Sequence, residues 1–512
     1  MSLVKNCSKV AAYVALAALI VIAIIYIGFL NPKKRAATHL EFVHKAIDEM
    51  HPAVLETDAA AFHEWHEQGY EQAKALLPLV HTEADEGAVL RFYLAGYKDS
   101  HLNGYLDHTP YSKLDADKRK WTGWLLKATN SGYVVTYGKE GNQYPPENAH
   151  LLSCDGKAID ELLHKYYAPY FDIRWNILNA RDTAAKAFTQ DRSFTGVLNR
   201  PEFHTCDFLI DNITKTYPIE WVPISTEESN TIAGKSYSEY KLPSLTEMAP
   251  GKIWVRASDF ALHSPEAAQS QKRLLEDITS IKQKTIIVLD ARGNSGGSSI
   301  HGSNIFNAIF GEDKKAANYL ANQYQYKNQG SNALFRASWQ LYWSYDYTLK
   351  KAIANQGEES AEVQYLEKFQ VRLKKALDAG EKTLYQKEEQ EKNTRLPEPA
   401  DEWDSPIKLV LITDKYCVSA CLDFVDMVKL APSLLHIGEP TDADTAYTQI
   451  AYMQSQYAKE TYNFMVPVKK WNKRMRDDNQ PYIPDVIYEG DMSDDKALRE
   501  WVINQTKIHF NQ

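Results

Sequence analysis

The spacing of apolar positions changes several times along the chain, and each change marks an element. Residues 409–412 are a continuous apolar, β-branched run that reads as a buried strand. A polar turn at 413–416 follows. Val418, Leu422, Val425 and Val428, with Phe424 beside them, then recur at helical spacing, so a helix begins near Ser419. Upstream the same alternation repeats: a strand at 253–255, a helix at 265–281, a second buried strand at 285–289, a loop at 290–298 and a helix at 302–310. A further strand at 434–437 joins the series. Strands separated by helices of this length predict an α/β layer with mainly parallel pairing.

The flanking regions carry other periods. Between residues 38 and 94, Phe42, Val43 and Ile47, and later Ala73, Leu76, Leu77 and Val80, lie at helical spacing, with His51-Pro52 breaking the first helix. Residues 121–163 are strand-like in three runs, followed by a turn at Cys154-Asp155-Gly156-Lys157 and a short helix at 159–166. Residues 170–240 mix short elements without a clear period, and 242–251, bracketed by Pro243 and Pro250, reads as a linker. Residues 312–393 are rich in Lys, Glu, Gln and Ala and predict long helices with solvated faces, an insertion over the core. The organisation expected is a membrane anchor or signal segment at 1–36, a helical region at 37–120 and a β-containing region at 121–241. A catalytic-type core at 250–311 and 404–490 is interrupted by a helical insertion at 312–403, and a C-terminal helix occupies 491–512.

Totals narrow the class. A chain of 512 residues with 44% hydrophobic and 24% charged residues is an ordinary globular protein with room for a large core. A net charge of −9 disfavours nucleic-acid binding. Five cysteines are too few for a disulfide scaffold. Cys417 and Cys421, four apart on either side of Ser419, can approach across one helical turn, but buried thiols are the expectation. Residues 11–30 carry no charge and are long enough to cross a bilayer as one helix, with Lys5 and Lys9 before and Lys33, Lys34 and Arg35 after. An uncleaved single-pass anchor is expected there. The HEWHE order at His63 and His66 is not the two-histidine, four-apart zinc motif.

Two stretches carry chemistry. Asp290-Ala-Arg-Gly-Asn-Ser-Gly-Gly follows a buried strand, where open α/β sheets place ligands, and Gly293, Gly296 and Gly297 leave backbone amides unshielded. It lacks the endings of a nucleotide P-loop. Ser419 stands at a helix start, where a serine is either a cap or a nucleophile.

Together, DARGNSGG and VSAC resemble the D-x-R-x-N-x-G-G loop and Ser-Ala-x nucleophile motif of the C-terminal processing (tail-specific) proteases, serine peptidases related to the tricorn core. The resemblance implies a crotonase/ClpP-like α/β fold and a nucleophile at Ser419. Where the Ser-Lys branch places its lysine, after Gly438-Glu-Pro-Thr441, this chain has Asp444. The tricorn-like branch uses a serine-preceded histidine and a late carboxylate, which Ser100-His101 and Asp478 resemble. The resemblance therefore implies His101 as general base, Ser100 held by Asp478 as its support, and an oxyanion site at Ala420 with Gly296 or Gly297. It also implies a serine-type peptidase without metal or organic cofactor, acting on peptide or unfolded protein substrates outside the cytoplasm, in the periplasm or an equivalent space. The segment 121–163 is similar in order to the PDZ-like module of that family. The run Lys469, Lys470, Lys473, Arg474 and Arg476 is either a receptor for a peptide carboxylate or a solvated basic face. A rival reading keeps the same core as a catalytically inactive, peptide- or ligand-binding scaffold.

Overall fold

A computed structural model describes residues 31–107, 120–190, 197, 199, 201–225, 228, 231–232, 241–328, 331–359, 361–386, 403–457 and 460–510. Three helices, α1 (Pro32–Met50), α2 (Ala60–Leu76) and α3 (Glu83–Ala95), open it. Leu40, Val43, Ile47 and Met50 of α1 lie on one face and are fully buried, as their spacing requires. Thr82 and Asp85 start α3 with a reciprocal capping box. A tight turn then leads into β1 (Asn103–Asp107).

The middle region is an antiparallel sheet of β2 (Trp124–Thr129), β3 (Gly132–Gly138), β4 (His150–Cys154), β5 (Thr205–Ile210) and β6 (Ile213–Pro218), in that order. Helices α4 (Ile159–Tyr166) and α5 (Leu178–Phe188) fall between β4 and β5. Cys154 and Cys206 stand opposite each other on β4 and β5 and are joined by a disulfide.

The core follows. Its strands are β7 (Ser244–Ala249), β8 (Lys252–Arg256) and β9 (Ile286–Asp290), with helices α6 (Pro265–Ser280) and α7 (Ser299–Phe310). An excursion then supplies α8 (Lys314–Lys327), β10 (Ala333–Arg336), α9 (Trp339–Gln356), α10 (Ala361–Asp378) and β11 (Thr383–Tyr385). The chain returns through β12 (Lys408–Thr413), α11 (Ala420–Val428), β13 (Leu434–Gly438), β14 (Tyr447–Tyr457), β15 (Glu460–Trp471), β16 (Val486–Ile487) and α12 (Asp495–Phe510).

The main sheet runs β7-β8-β9-β12-β13-β16. All its pairs are parallel except the β7–β8 edge hairpin. Alternate residues face opposite layers. Ile253, Val255, Ile287, Leu289, Leu409 and Leu411 pack against α6, α7 and α11, while Trp254, Val288, Val410 and Ile412 pack against Leu498 and Val502 of α12. Helices on both faces explain why β9 and β12 are nearly continuous apolar runs. The α/β class and the four strands predicted to share one sheet match this arrangement.

Two segments differ from expectation. The predicted linker at 242–251 contains β7, a polar edge strand whose exposed Glu247 leaves little apolar signal. The predicted helical insertion also contributes β10 and β11, which join a second sheet in the order β1-β15-β10-β11, with β14 on β15. Among the described residues no helix is long and apolar enough to cross a membrane, and the span predicted at 11–30 lies outside them.

Candidate active site

The carboxyl ends of β9 and β12 lie side by side in parallel register. Each runs into a tight loop, so the Gly-rich loop and the start of α11 must meet. Asp414, fully buried at the end of β12, accepts from the Gly293 amide at 2.9 Å and the Tyr416 amide at 3.1 Å, tying the two loops together. Burial, with Glu439 nearby, pushes its carboxyl up to about 7.

Ser419 occupies the cap position of α11, yet its side chain makes no capping bond. Its backbone sits at φ 58°, ψ −120°, a conformation costly for a residue with a Cβ and met at sharp strand-to-helix turns that project a nucleophile. Its Oγ lies 3.2 Å from Nε2 of His101. Cys417 and Cys421 form a disulfide across this turn, where buried thiols were expected. With three residues between partners, the bridge closes a short loop around the strained serine.

Gly296 and Gly297 hold φ of 95° and 127°. A Cβ on Gly296 would lie 2.8 Å from the Val418 carbonyl oxygen and 2.9 Å from Ser419 Cβ, and one on Gly297 would lie 2.2 Å from the Phe260 carbonyl. Only glycine fits either place. The two amides part company. Gly296 N–H donates to Asn294 Oδ1 at 3.0 Å, whereas Gly297 N–H and Ala420 N–H have no acceptor among the described residues. Of the three amides expected to serve an oxyanion, Gly296 is thus engaged and Gly297 and Ala420 are left available. The loop is anchored below by Asp290, whose carboxylate takes Arg292 Nε at 2.8 Å, Arg292 Nη2 at 2.7 Å and Trp254 Nε1 at 3.0 Å.

His101 enters from the turn before β1. Asp99 Oδ1 accepts from the His101 amide at 2.9 Å, an Asx turn, and lies 3.6 Å from His101 Nδ1. Asp99, buried, is the carboxylate that faces the ring. Burial opposes the imidazolium, but Asp99 and then Asp444 outweigh it, so the His101 pKa is raised. Asp99 is itself held below the usual carboxylate range: burial pushes it up, and His101 and His51 overcome that.

The support expected from Ser100 and Asp478 does not form. Ser100 Oγ donates to the Ala443 carbonyl at 3.5 Å. Asp478, half-exposed, accepts from Ala446 N at 2.8 Å and Arg474 Nη2 at 2.7 Å. Its neighbour Asn479 does brace the site, donating to the Lys98 carbonyl at 2.9 Å beside Asp99. Asp444, in place of a lysine, is buried and paired with Arg474 at 2.8 Å and Arg476 at 2.8 Å, and these cations hold its carboxyl below the usual range although burial opposes them. The Asp-Ser-His order, an aspartate placed to make an Asx turn with the histidine amide, was the signal for Asp99 that the sequence offered.

A cleft of about 940 Å³ spans these groups, with Asp99, His101, Gly297, Ser419 and Asp444 on its walls. It contains a hydroxyl on a strained turn, an imidazole within reach, a buried carboxylate behind it and two free amides. That set can carry acyl transfer.

Residues 254–485 match the family model described as Peptidase family S41. Over that stretch, a little under half of its length, the chain is similar to peptidase family S41. Its α/β core and the sequence resemblance to the processing proteases agree with that match, and a peptidase is the activity the match supports. Among solved structures, mature CPAF complexed with lactacystin is similar at 12% identity with a TM-score of 0.57, over 94% of this chain and 100% of that one. Mature CPAF is similar at 11% identity and TM-score 0.56, over 93% and 97%. These likenesses concern the fold. No curated protein matches the chain.

Proposed function

We propose that this chain is an S41-type serine peptidase that hydrolyses peptide bonds through an acyl-enzyme at Ser419. The observation that carries the reading is the 3.2 Å approach of His101 Nε2 to Ser419 Oγ, at the outer edge of hydrogen-bond reach for a resting site. His101 takes the hydroxyl proton as Oγ bonds to the scissile carbonyl carbon, and the carbonyl oxygen becomes an oxyanion between the Gly297 and Ala420 amides. The tetrahedral species collapses as His101 returns the proton to the leaving amine. A water, deprotonated by the same ring, then cleaves the acyl ester and regenerates Ser419. Asp99 stabilises the imidazolium formed in each half-reaction and stays ionised throughout.

The tricorn-like assignment rests on the histidine base and on Asp444 standing where a lysine base would be. Substrates are peptides or unfolded protein ends. Two disulfides, Cys154–Cys206 and Cys417–Cys421, support a place outside the reducing cytoplasm, in keeping with the apolar segment at 11–30 acting as an anchor. Cleavage of a reduced, alkylated protein by the wild-type chain and by Ser419→Ala tests the reading. Loss of cleavage in the variant is expected. Equal cleavage by both, or none by a folded wild type, removes it and favours the scaffold alternative.

A further inference from the structure

Of the basic run Lys469–Arg476, most charges are already satisfied. Lys470 is paired with Glu56, Arg474 with Asp444 and Asp478, and Arg476 with Asp444, Asp423 and Asp426. Lys473 is solvent-exposed and off the cleft wall. Lys469 differs from all of them. It lies on β15 between Phe335 of β10 and Thr448 of β14, with its side chain on the wall of the cleft that also holds Ser419 and Gly297. Its ammonium is 4.9 Å from the Trp471 ring centroid and 5.7 Å from that of Phe335. It makes no ion pair and no side-chain hydrogen bond among the described residues. Asp423, the carboxylate that acts on it, is engaged by Ser299 Oγ at 2.6 Å and Arg476 at 2.9 Å.

A half-buried ammonium over two aromatic faces has lost much of its hydration without gaining a counter-ion. Burial pushes it down to about 8, with Asp423 opposing. The cation therefore persists at neutral pH in a place where an incoming anion gains more than it would on an open surface.

We propose that Lys469 is the anion-recognition residue of the substrate cleft and selects peptides that present a carboxylate, either the chain terminus or an acidic side chain. Trp471 and Phe335 supply the dry wall against which that charge pair forms. The inference rests on the peptidase reading only for naming the cleft as the substrate site, so binding is measured apart from turnover.

The test uses the full chain carrying Ser419→Ala, with and without Lys469→Met or Lys469→Arg, and fluorescence anisotropy. The probes are a fluorescein-labelled apolar octapeptide with a free carboxyl terminus, its C-terminal amide, and the amide bearing one internal glutamate. On the Ser419→Ala background one or both carboxylate peptides should bind about tenfold to a hundredfold tighter than the plain amide. Tighter binding of the free acid names the terminus as the source of the anion, and tighter binding of the glutamate peptide names a side chain. Lys469→Met should bring the ratio to about one, and Lys469→Arg should restore most of it, which a merely misfolded variant would not allow. No carboxylate preference in the parent, or a preference that survives Lys469→Met, overturns the proposal. Lys469-dependent binding by a chain whose wild type cleaves nothing would sink the peptidase reading and leave this one standing.

Discussion

Replacing Asp99 with asparagine separates orientation from charge at the proposed base. Asparagine keeps an oxygen to accept from the His101 amide, so the Asx turn survives. What disappears is the carboxylate 3.6 Å from Nδ1. Two unit charges at that separation attract by roughly 4–5 kcal/mol at an effective dielectric of about 20. Part of this is offset by solvent and by Asp444, which also favours the imidazolium, and an amide rotated to donate toward Nδ1 can also favour the wrong tautomer. A fall in kcat/KM of roughly a hundredfold to a thousandfold is expected. The pH profile adds a second, independent readout. The His101 pKa is raised because Asp99 outweighs burial. Without Asp99 burial dominates, so the imidazolium is lost at lower pH and the acidic limb of kcat/KM moves down the pH axis. Steady-state hydrolysis of a quenched peptide between about pH 4 and 9 measures both. Activity within about threefold of wild type together with an unmoved acidic limb would refute the role given to Asp99, while Asp478→Asn should leave that limb where it is.

Other consequences are separable. Gly296→Ala drives a Cβ against Val418 and Ser419, and a loss of at least a hundredfold in kcat with near-native folding is expected, read by hydrolysis and circular dichroism. Asn479→Ala removes the bond to the Lys98 carbonyl and should cost about 1 kcal/mol in urea unfolding, with a larger proportional loss of activity than of stability. Asp414→Asn should flatten part of the stability profile. Its folded pKa is raised to about 7, so the unfolded state loses the proton first and stability falls as pH rises from about 4 to about 7. The variant should be more stable than wild type above that window by a few kcal/mol at most, because an asparagine oxygen can still accept one loop amide.

What the sequence made legible follows from how local each signal is. The strands of the main sheet announce themselves because a parallel strand covered on both faces must be apolar along its buried length, as 286–289 and 409–412 are. The glycines of the 290–297 loop and the serine at the helix start are also local signals. The edge strand Ser244–Ala249 was lost because half of its surface is solvated. The short strands Ala333–Arg336 and Thr383–Tyr385 were lost because their pairing partners stand far away in sequence. At the site the proposed nucleophile and base, Ser419 and His101, which the structure brings to 3.2 Å, were legible from residue type and order. The base's support was not. Ser100 and Asp478 fit a pattern, but one turn of backbone decides whether residue 99 or 100 faces the imidazole, and an Asx turn chose Asp99. The free amide is likewise a matter of geometry, since Asn294 engages Gly296 and leaves Gly297. The Cys417–Cys421 bridge depends on the strained turn at Ser419, which no spacing rule reports.

The central claim is that Ser419 is a nucleophile activated by His101. Mass spectrometry of the full chain treated with diisopropyl fluorophosphate tests it most directly. The account predicts one phosphoryl adduct, located on Ser419, formed at a rate that rises with pH as His101 loses its proton and that drops at least a hundredfold in folded His101→Ala. An adduct on another residue, no adduct on a folded chain, or Ser419 labelling indifferent to His101 would contradict it.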